Sequence, residues 1–314
     1  VDSTIEANGI ILDIYGLTKE IPPNFVFKYV ISRKRDMDIE SIISHLKERA
    51  RLVKGCKEIN YTGEPEIVFS PEAWGSMLNI FIQQITATRI RVGLSPYTRD
   101  SIGREIAGKN ITIFDDPEHQ NASFPSRVDM EGIPTKKKPL IDGGKLSTIL
   151  TDYYHARLFE IEPTANVIRY SEWGMKDPVM VEPRISPWHI TFDGNKKNLD
   201  DLLGEIDDGF LVMDVMGVHQ ADIASGKFAV PALAVRIKNG ETIHPVRKVM
   251  LAGTMEALLR NIDAISKEVE SFPGGEYPYL RTRGVKATAQ KTPLKYRIGT
   301  KIANMLLKLG IIKI

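Results

Sequence analysis

The sequence has 314 residues, 42% of them hydrophobic and 26% charged, with a formal net charge of +2. That length and apolar content can bury one large or two ordinary domains, and the near-neutral balance argues for no partner by charge alone. The single cysteine, Cys56, excludes an intrachain disulfide and fits a reducing compartment, most simply as a small buried apolar residue. No basic stretch followed by an apolar run marks a secretory leader, and no apolar run is long enough to span a bilayer. A soluble, cytoplasmic chain is expected.

Two strand-like runs open the chain, at residues 10–15 and 25–32. A helix is predicted over 39–53, where Ile39, Ile42, Ile43, Leu46 and Val53 recur at helical spacing. A short strand at 66–69 leads into the clearest helix. Ser70 suits the N-cap, Pro71 the first helical position, and Glu72 the electropositive first turn. Trp74, Met77, Leu78, Phe81, Ile82 and Ile85 then form an apolar stripe of the kind that packs in a core. A strand at 111–114 runs into Asp115-Asp116-Pro117, a turn, and residues 118–144 read as a long irregular loop.

The pattern predicts a helix over 146–158, strands at 167–170, 188–192, 210–218 and 228–237, and a further helix over 255–266. Asn239-Gly240 between two apolar runs is a hairpin signal. Helices and strands mix without regular alternation, so the expected class is α+β, with mixed, largely antiparallel sheets and packed helices. From Arg281 to the end there are nine Lys or Arg residues and no acid. Ile298, Ile302, Met305, Leu306 and Leu309 within that stretch predict an amphipathic helix docked by its apolar face.

The search for chemistry is largely negative. The six histidines, His45, His119, His155, His189, His219 and His244, form no H-x-H pair and no H-E-x-x-H helix. The run Asp115-Asp116-Pro117-Glu118-His119 is rich in ligand types but lacks calcium-loop spacing, and reads first as a turn. Gly93-Leu94-Ser95-Pro96-Tyr97 fails as a nucleophile elbow at Tyr97. Ser225-Gly226-Lys227-Phe228 fails as a phosphate loop, for want of the upstream Gly and a Ser or Thr after the Lys.

Several segments, in order, resemble the TldD/PmbA family of peptidases, historically called modulators of DNA gyrase. They include Glu66-Ile67-Val68-Phe69-Ser70-Pro71-Glu72-Ala73, Ile111-Thr112-Ile113-Phe114-Asp115-Asp116-Pro117, and Val128-Asp129-Met130-Glu131-Gly132-Ile133-Pro134 with Leu140-Ile141-Asp142-Gly143-Gly144 behind it. Ser225-Gly226-Lys227-Phe228, Ile237-Lys238-Asn239-Gly240-Glu241, Pro245-Val246 and Ala252-Gly253-Thr254 follow. The D-x-E-G-x-P element is the most specific piece. The resemblance covers residues 8–290 and looks like the C-terminal two thirds of the family. It implies a remnant of the linking region at 1–65, the family's C-terminal domain at 66–290, and a basic tail at 291–314.

The family has two kinds of member. The TldD kind carries a zinc helix, H-E-x-x-x-H, and a late cysteine; the PmbA or TldE kind lacks both and pairs with the first. Counted from the strand at Glu66, the zinc-helix residues fall on Asn79, Ile80 and Gln84. Neutral amides are poor zinc ligands and Ile80 accepts no proton, so no metal and no catalytic residue are expected in this helix. The resemblance implies a non-catalytic subunit, zinc in a homologous TldD-like partner, and peptides or unfolded segments as substrates. Asp129, Glu131 and Gly132 are the candidate substrate or interface residues. They also fit a structural turn, with Gly132 at positive φ and the acids capping backbone.

Two other readings stay open on the residues alone. One is an independently active hydrolase assembled from His189, His219 and Asp214. The other is a nucleic-acid or membrane module built on the basic tail, which the near-neutral body does not favour. For the subunit that the resemblance implies, self-pairing is compatible with the absence of its TldD-like partner.

Overall fold

The computed structural model describes residues 10–17, 25–32, 39–122, 125–169 and 180–291. In chain order the elements are β1 (Ile10–Leu17), β2 (Phe25–Ser32), α1 (Ile39–Val53), β3 (Tyr61–Gly63), β4 (Glu66–Phe69), α2 (Pro71–Gln84) and α3 (Ala87–Arg91). There follow β5 (Ile111–Asp115), β6 (Lys138–Asp142), β7 (Lys145–Leu146), α4 (Tyr153–Phe159), β8 (Val167–Ile168), β9 (Arg184–Ile185), β10 (Ile190–Gly194) and β11 (Lys196–Lys197). The last are α5 (Leu199–Gly204), β12 (Asp208–Val215), β13 (Lys227–Lys238), β14 (Glu241–Thr254), α6 (Met255–Arg260), β15 (Ala264–Phe272), β16 (Gly275–Thr282) and β17 (Lys286–Ala289).

Among the described residues, thirteen strands form one sheet in the order β3-β17-β14-β13-β12-β4-β16-β10-β5-β6-β7, with β15 paired to β16 and β11 to β15. Its pairings are antiparallel except β4 with β12, β10 with β16 and β11 with β15. The fold is therefore mixed α and β with a large, mostly antiparallel sheet, as the sequence pattern predicts.

The centre of the sheet is buried on both faces, and side-chain alternation shows why. In β4, Ile67 and Phe69 join the larger core with α2, while Val68 faces a second core with Leu46 and Val53 of α1. In β12, Phe210 and Val212 face the first core and Leu211 and Met213 the second. Such strands read as continuous apolar runs because neither face meets water. The hairpin at Asn239-Gly240 forms as predicted, with φ of 51° and 78° at its two residues, which suits a type I′ turn.

Helix α2 is enclosed nearly all round. The Ser70 hydroxyl accepts from the Ala73 amide at 3.3 Å and donates to the Met213 carbonyl at 2.8 Å, so the cap also ties the helix start to β12. Trp74, Met77, Leu78, Ile80 and Phe81 are buried, each worth about 1.5–3 kcal/mol of transfer free energy. Arg49 of α1 reaches across the strand ends, its guanidinium 2.5 Å from the buried Glu72 carboxylate and donating to the Met213 carbonyl at 2.7 Å.

Several boundaries differ from the sequence reading. The helix predicted over 146–158 is confined to α4. Leu146 accepts from the Gly103 amide and Leu150 from the Ala87 amide, which holds the preceding residues extended, and Asp152 then caps the helix through the His155 amide at 2.6 Å. The helix over 255–266 stops at Arg260, because Ile265 pairs with Leu280 in β15–β16. The strand predicted over 210–218 ends at Val215 and turns into a short 3-10 helix at Val218–Gln220. The strand near 188–192 is shifted to Ile190–Gly194, and that at 167–170 keeps two residues, with Tyr170 outside the described residues. The irregular stretch 118–144 contains β6. Cys56 is half-buried, with its thiol 3.2 Å from the Val53 carbonyl. The helix expected within 298–309 lies outside the described residues.

Candidate functional site

The D-x-E-G-x-P element folds as a small closed turn. Asp129 is buried, and one carboxylate oxygen accepts from the amides of Glu131 at 2.9 Å and Ile133 at 3.0 Å. The other oxygen accepts from the Val167 amide at 3.2 Å, and the Met130 amide donates to the Val167 carbonyl, so the turn is docked on β8. Gly132 sits at φ 78° with open space around it, a backbone state that a residue bearing a Cβ enters at a cost. The exposed Glu131 accepts from the Tyr153 amide at 2.7 Å and places a negative charge at the start of α4. All three signature residues thus hold backbone in place.

A second buried carboxylate anchors the neighbouring strands. Asp115, at the end of β5, is fully buried and accepts from the Trp188 amide at 2.7 Å, the His189 amide at 3.2 Å and the Asn166 side chain at 2.7 Å. Lys138 of β6 lies 3.0 Å away as its counter-ion. Asn166 precedes Val167, so the anchors at Asp115 and Asp129 grip adjacent residues of one chain segment. The network draws on residues up to 74 positions apart, which sequence inspection had no local signal to assemble.

On α2, the three positions where a zinc helix would carry its ligands and base do not converge. Asn79 is exposed and Ile80 is buried. Gln84 is buried and donates its amide to the Ile223 carbonyl at 2.9 Å. Gly226, at φ 70°, lies so close that a Cβ there would come within 2.8 Å of the Gln84 amide nitrogen. Ser95, in the failed nucleophile elbow, donates to the Gln84 carbonyl at 2.6 Å and so closes the end of α2.

The sequence profile of the PmbA/TldA metallopeptidase C-terminal domain matches residues 62–289. The chain belongs to the TldD/PmbA family. An uncharacterized protein of Methanocaldococcus jannaschii is 29% identical over 226 residues, covering 71% of this chain and 50% of the relative. The TldD-homologue metalloprotease of Buchnera aphidicola subsp. Schizaphis graminum is 28% identical over 185 residues, 59% of this chain and 36% of the relative. The crystal structure of TldE from Thermococcus kodakarensis superposes with a TM-score of 0.78 at 26% identity, covering 89% of this chain and 62% of that one. This TldD/PmbA chain therefore spans about half the length, or less, of these curated relatives.

Of the scattered set His189, His219 and Asp214, the first lies beside His119 and Glu276, while His219 is exposed on the 3-10 turn. Among the described residues, the groups of ligand-type side chains close enough to share an ion are His119 with His189 and Glu276, and His45 with Glu72 and Glu270. Neither contains His219 or Asp214. Burial pushes the Asp214 carboxyl up to about 6. No described helix is long and apolar enough to cross a membrane.

Proposed function

We propose that this chain is the subunit of a TldD/TldE-type zinc metallopeptidase that does not carry the peptide-cutting zinc. A homologous TldD-like chain would supply that ion, the general base and the bound water, and this chain would form part of the chamber that receives peptides and unfolded segments. The setting would be the cytoplasm. The observation that carries this reading is the state of α2: at the zinc-helix register, Asn79 faces solvent, Ile80 has no proton acceptor, and Gln84 is committed to the Ile223 carbonyl. An amide already spent on backbone, paired with an exposed amide and a buried alkane, offers zinc neither ligand nor base.

The TldD/PmbA turn at Asp129, Glu131 and Gly132 would then shape the chamber wall rather than touch substrate, because each group is already used on backbone. Affinity purification of the chain from its native host, with mass spectrometry of what accompanies it, tests the partnership. The expected companion is a homologue containing H-E-x-x-x-H, and recovery of the chain only as a monomer or homodimer contradicts the reading.

A further inference from the structure

One cluster of ligand-type side chains lies away from α2. The strand register builds it. Ile190 of β10 pairs with Asp115 of β5 on one side and with Gly275 of β16 on the other. His189 is thereby set beside the turn that follows β5, which carries His119, and beside Glu276 at the start of β16. The two imidazoles stack with centroids 4.8 Å apart and planes 10° apart. A Glu276 carboxylate oxygen lies 3.7 Å from His119 Nε2, and one candidate ligand atom from each of the three residues falls within 4.8 Å of the others. His189 is 3% exposed, and its Nε2 is buried with no hydrogen-bond partner. A buried ring nitrogen without a hydrogen-bond partner costs free energy that a ligated ion there would recover.

We propose that His119, His189 and Glu276 bind one divalent transition-metal ion, with zinc the ion best matched to the donors. Two imidazoles and one carboxylate form a known zinc ligand set that leaves a fourth position open. The supporting shell is in place. The His189 amide donates to Asp115 and its carbonyl accepts from the Asp116 amide at 2.8 Å, which fixes the backbone on both sides of the ring. Asn121 donates to one Glu276 oxygen at 2.7 Å and leaves the other for the ion.

Closing the site requires the ligand atoms to contract to the roughly 3.3 Å separation that zinc bond lengths set, and the stacked His119 ring to tilt out of its parallel plane so that both in-plane lone pairs meet at the ion. His119 supplies the movement, since it lies on a turn and its Nδ1 is held by the Asn121 amide at only 3.3 Å. The His45, Glu72 and Glu270 group is a contrast. There Arg49 already occupies the place of a cation at Glu72, and Glu270 is taken by His45 at 3.1 Å and by the Tyr279 hydroxyl at 3.1 Å.

The inference is independent of the proposed function, because it concerns an ion held by the turn after β5, the residue before β10 and the start of β16, and not by α2. Untagged full chain, stripped with chelator, is titrated with Zn²⁺ by calorimetry and with Co²⁺ by visible absorption. One equivalent of each is expected, with Co²⁺ bands of a nitrogen and oxygen site and no thiolate charge transfer. H119A and E276Q, both at partly exposed positions, should keep the native circular dichroism. Each should weaken Zn²⁺ by more than the roughly 100-fold that losing a supporting hydrogen bond costs. H45A should bind as the parent does. Absence of Co²⁺ bands and of Zn²⁺ heat in the parent overturns the proposal. So does unchanged affinity in the folded H119A/E276Q double variant.

Discussion

The side-chain amide of Gln84 donates to the carbonyl of Ile223 at 2.9 Å, and this one bond ties the last residue of α2 to the turn before β13. At the position where the proposed register would put a zinc-helix histidine, this side chain fixes a loop. A Cβ at Gly226 would come within 2.8 Å of that amide nitrogen. Gln84→Ala should therefore destabilise the chain by about 1–3 kcal/mol, since it removes a buried donor and leaves a gap. Urea unfolding measures this. A change within error would mean that the amide has no structural task.

The turn that carries the TldD/PmbA signature should rank its three residues by what each holds. Asp129→Ala removes a buried carboxylate that accepts three amides and should cost about 3 kcal/mol. Gly132→Ala meets open space but must adopt positive φ, at about 1–2 kcal/mol. Glu131→Ala weakens the start of α4 from an exposed position and should cost less than about 1 kcal/mol. Thermal unfolding of the three variants checks the order. Loss of peptide cleavage in the assembled complex with stability unchanged would instead make Asp129 a substrate contact.

Arg49 links the segment before β3 to the matched domain. Its pair with Glu72 is buried on both sides, at 7% and 1% exposure of the two side chains. Arg49→Ala strips the counter-charge from a carboxylate with little access to water, and a loss of about 3–5 kcal/mol is expected by denaturant unfolding. Arg49→Ala together with Glu72→Gln should recover part of that loss.

Asp214 gives the chain a pH dependence of definite sign. Its carboxyl is raised from 3.8 to about 6, first by burial, so the folded chain keeps a proton that the unfolded chain has released. Its contribution is complete below about pH 4 and is lost as pH rises through about 6, with a slope of at most about 1.4 kcal/mol per pH unit in that window. Asp214→Asn should flatten that part of the stability profile and make the variant the more stable protein at pH 8. A profile between pH 4 and 6 unchanged by the substitution contradicts the assignment.

The sequence revealed the elements whose chemistry is local. Ser70-Pro71 marked the start of α2 and Asn239-Gly240 a hairpin, and the D-x-E-G-x-P element offered a backbone turn with Gly132 at positive φ beside its reading as a substrate or interface element. It failed where distant pairing overrode local pattern. The apolar residues at 146–150 look helical, but bonds to Gly103 and Ala87 hold them extended. The helix at 255–266 was cut short by strand pairing at Ile265, and β16 hides behind the Pro278 in its middle. The Asp115 anchor and the stack of His119 on His189 were illegible for the same reason. Asp115, His119 and His189 stood out as candidate residues, but Asn166 and Glu276 did not, and only the register brings them alongside.

The most direct test of the central claim is cleavage of an unfolded fluorogenic peptide by the purified chain, alone and co-expressed with the TldD-like homologue of its own host, with and without chelator. The account predicts no turnover by the lone chain and chelator-sensitive turnover by the pair. Chelator-sensitive cleavage by this chain alone would contradict it.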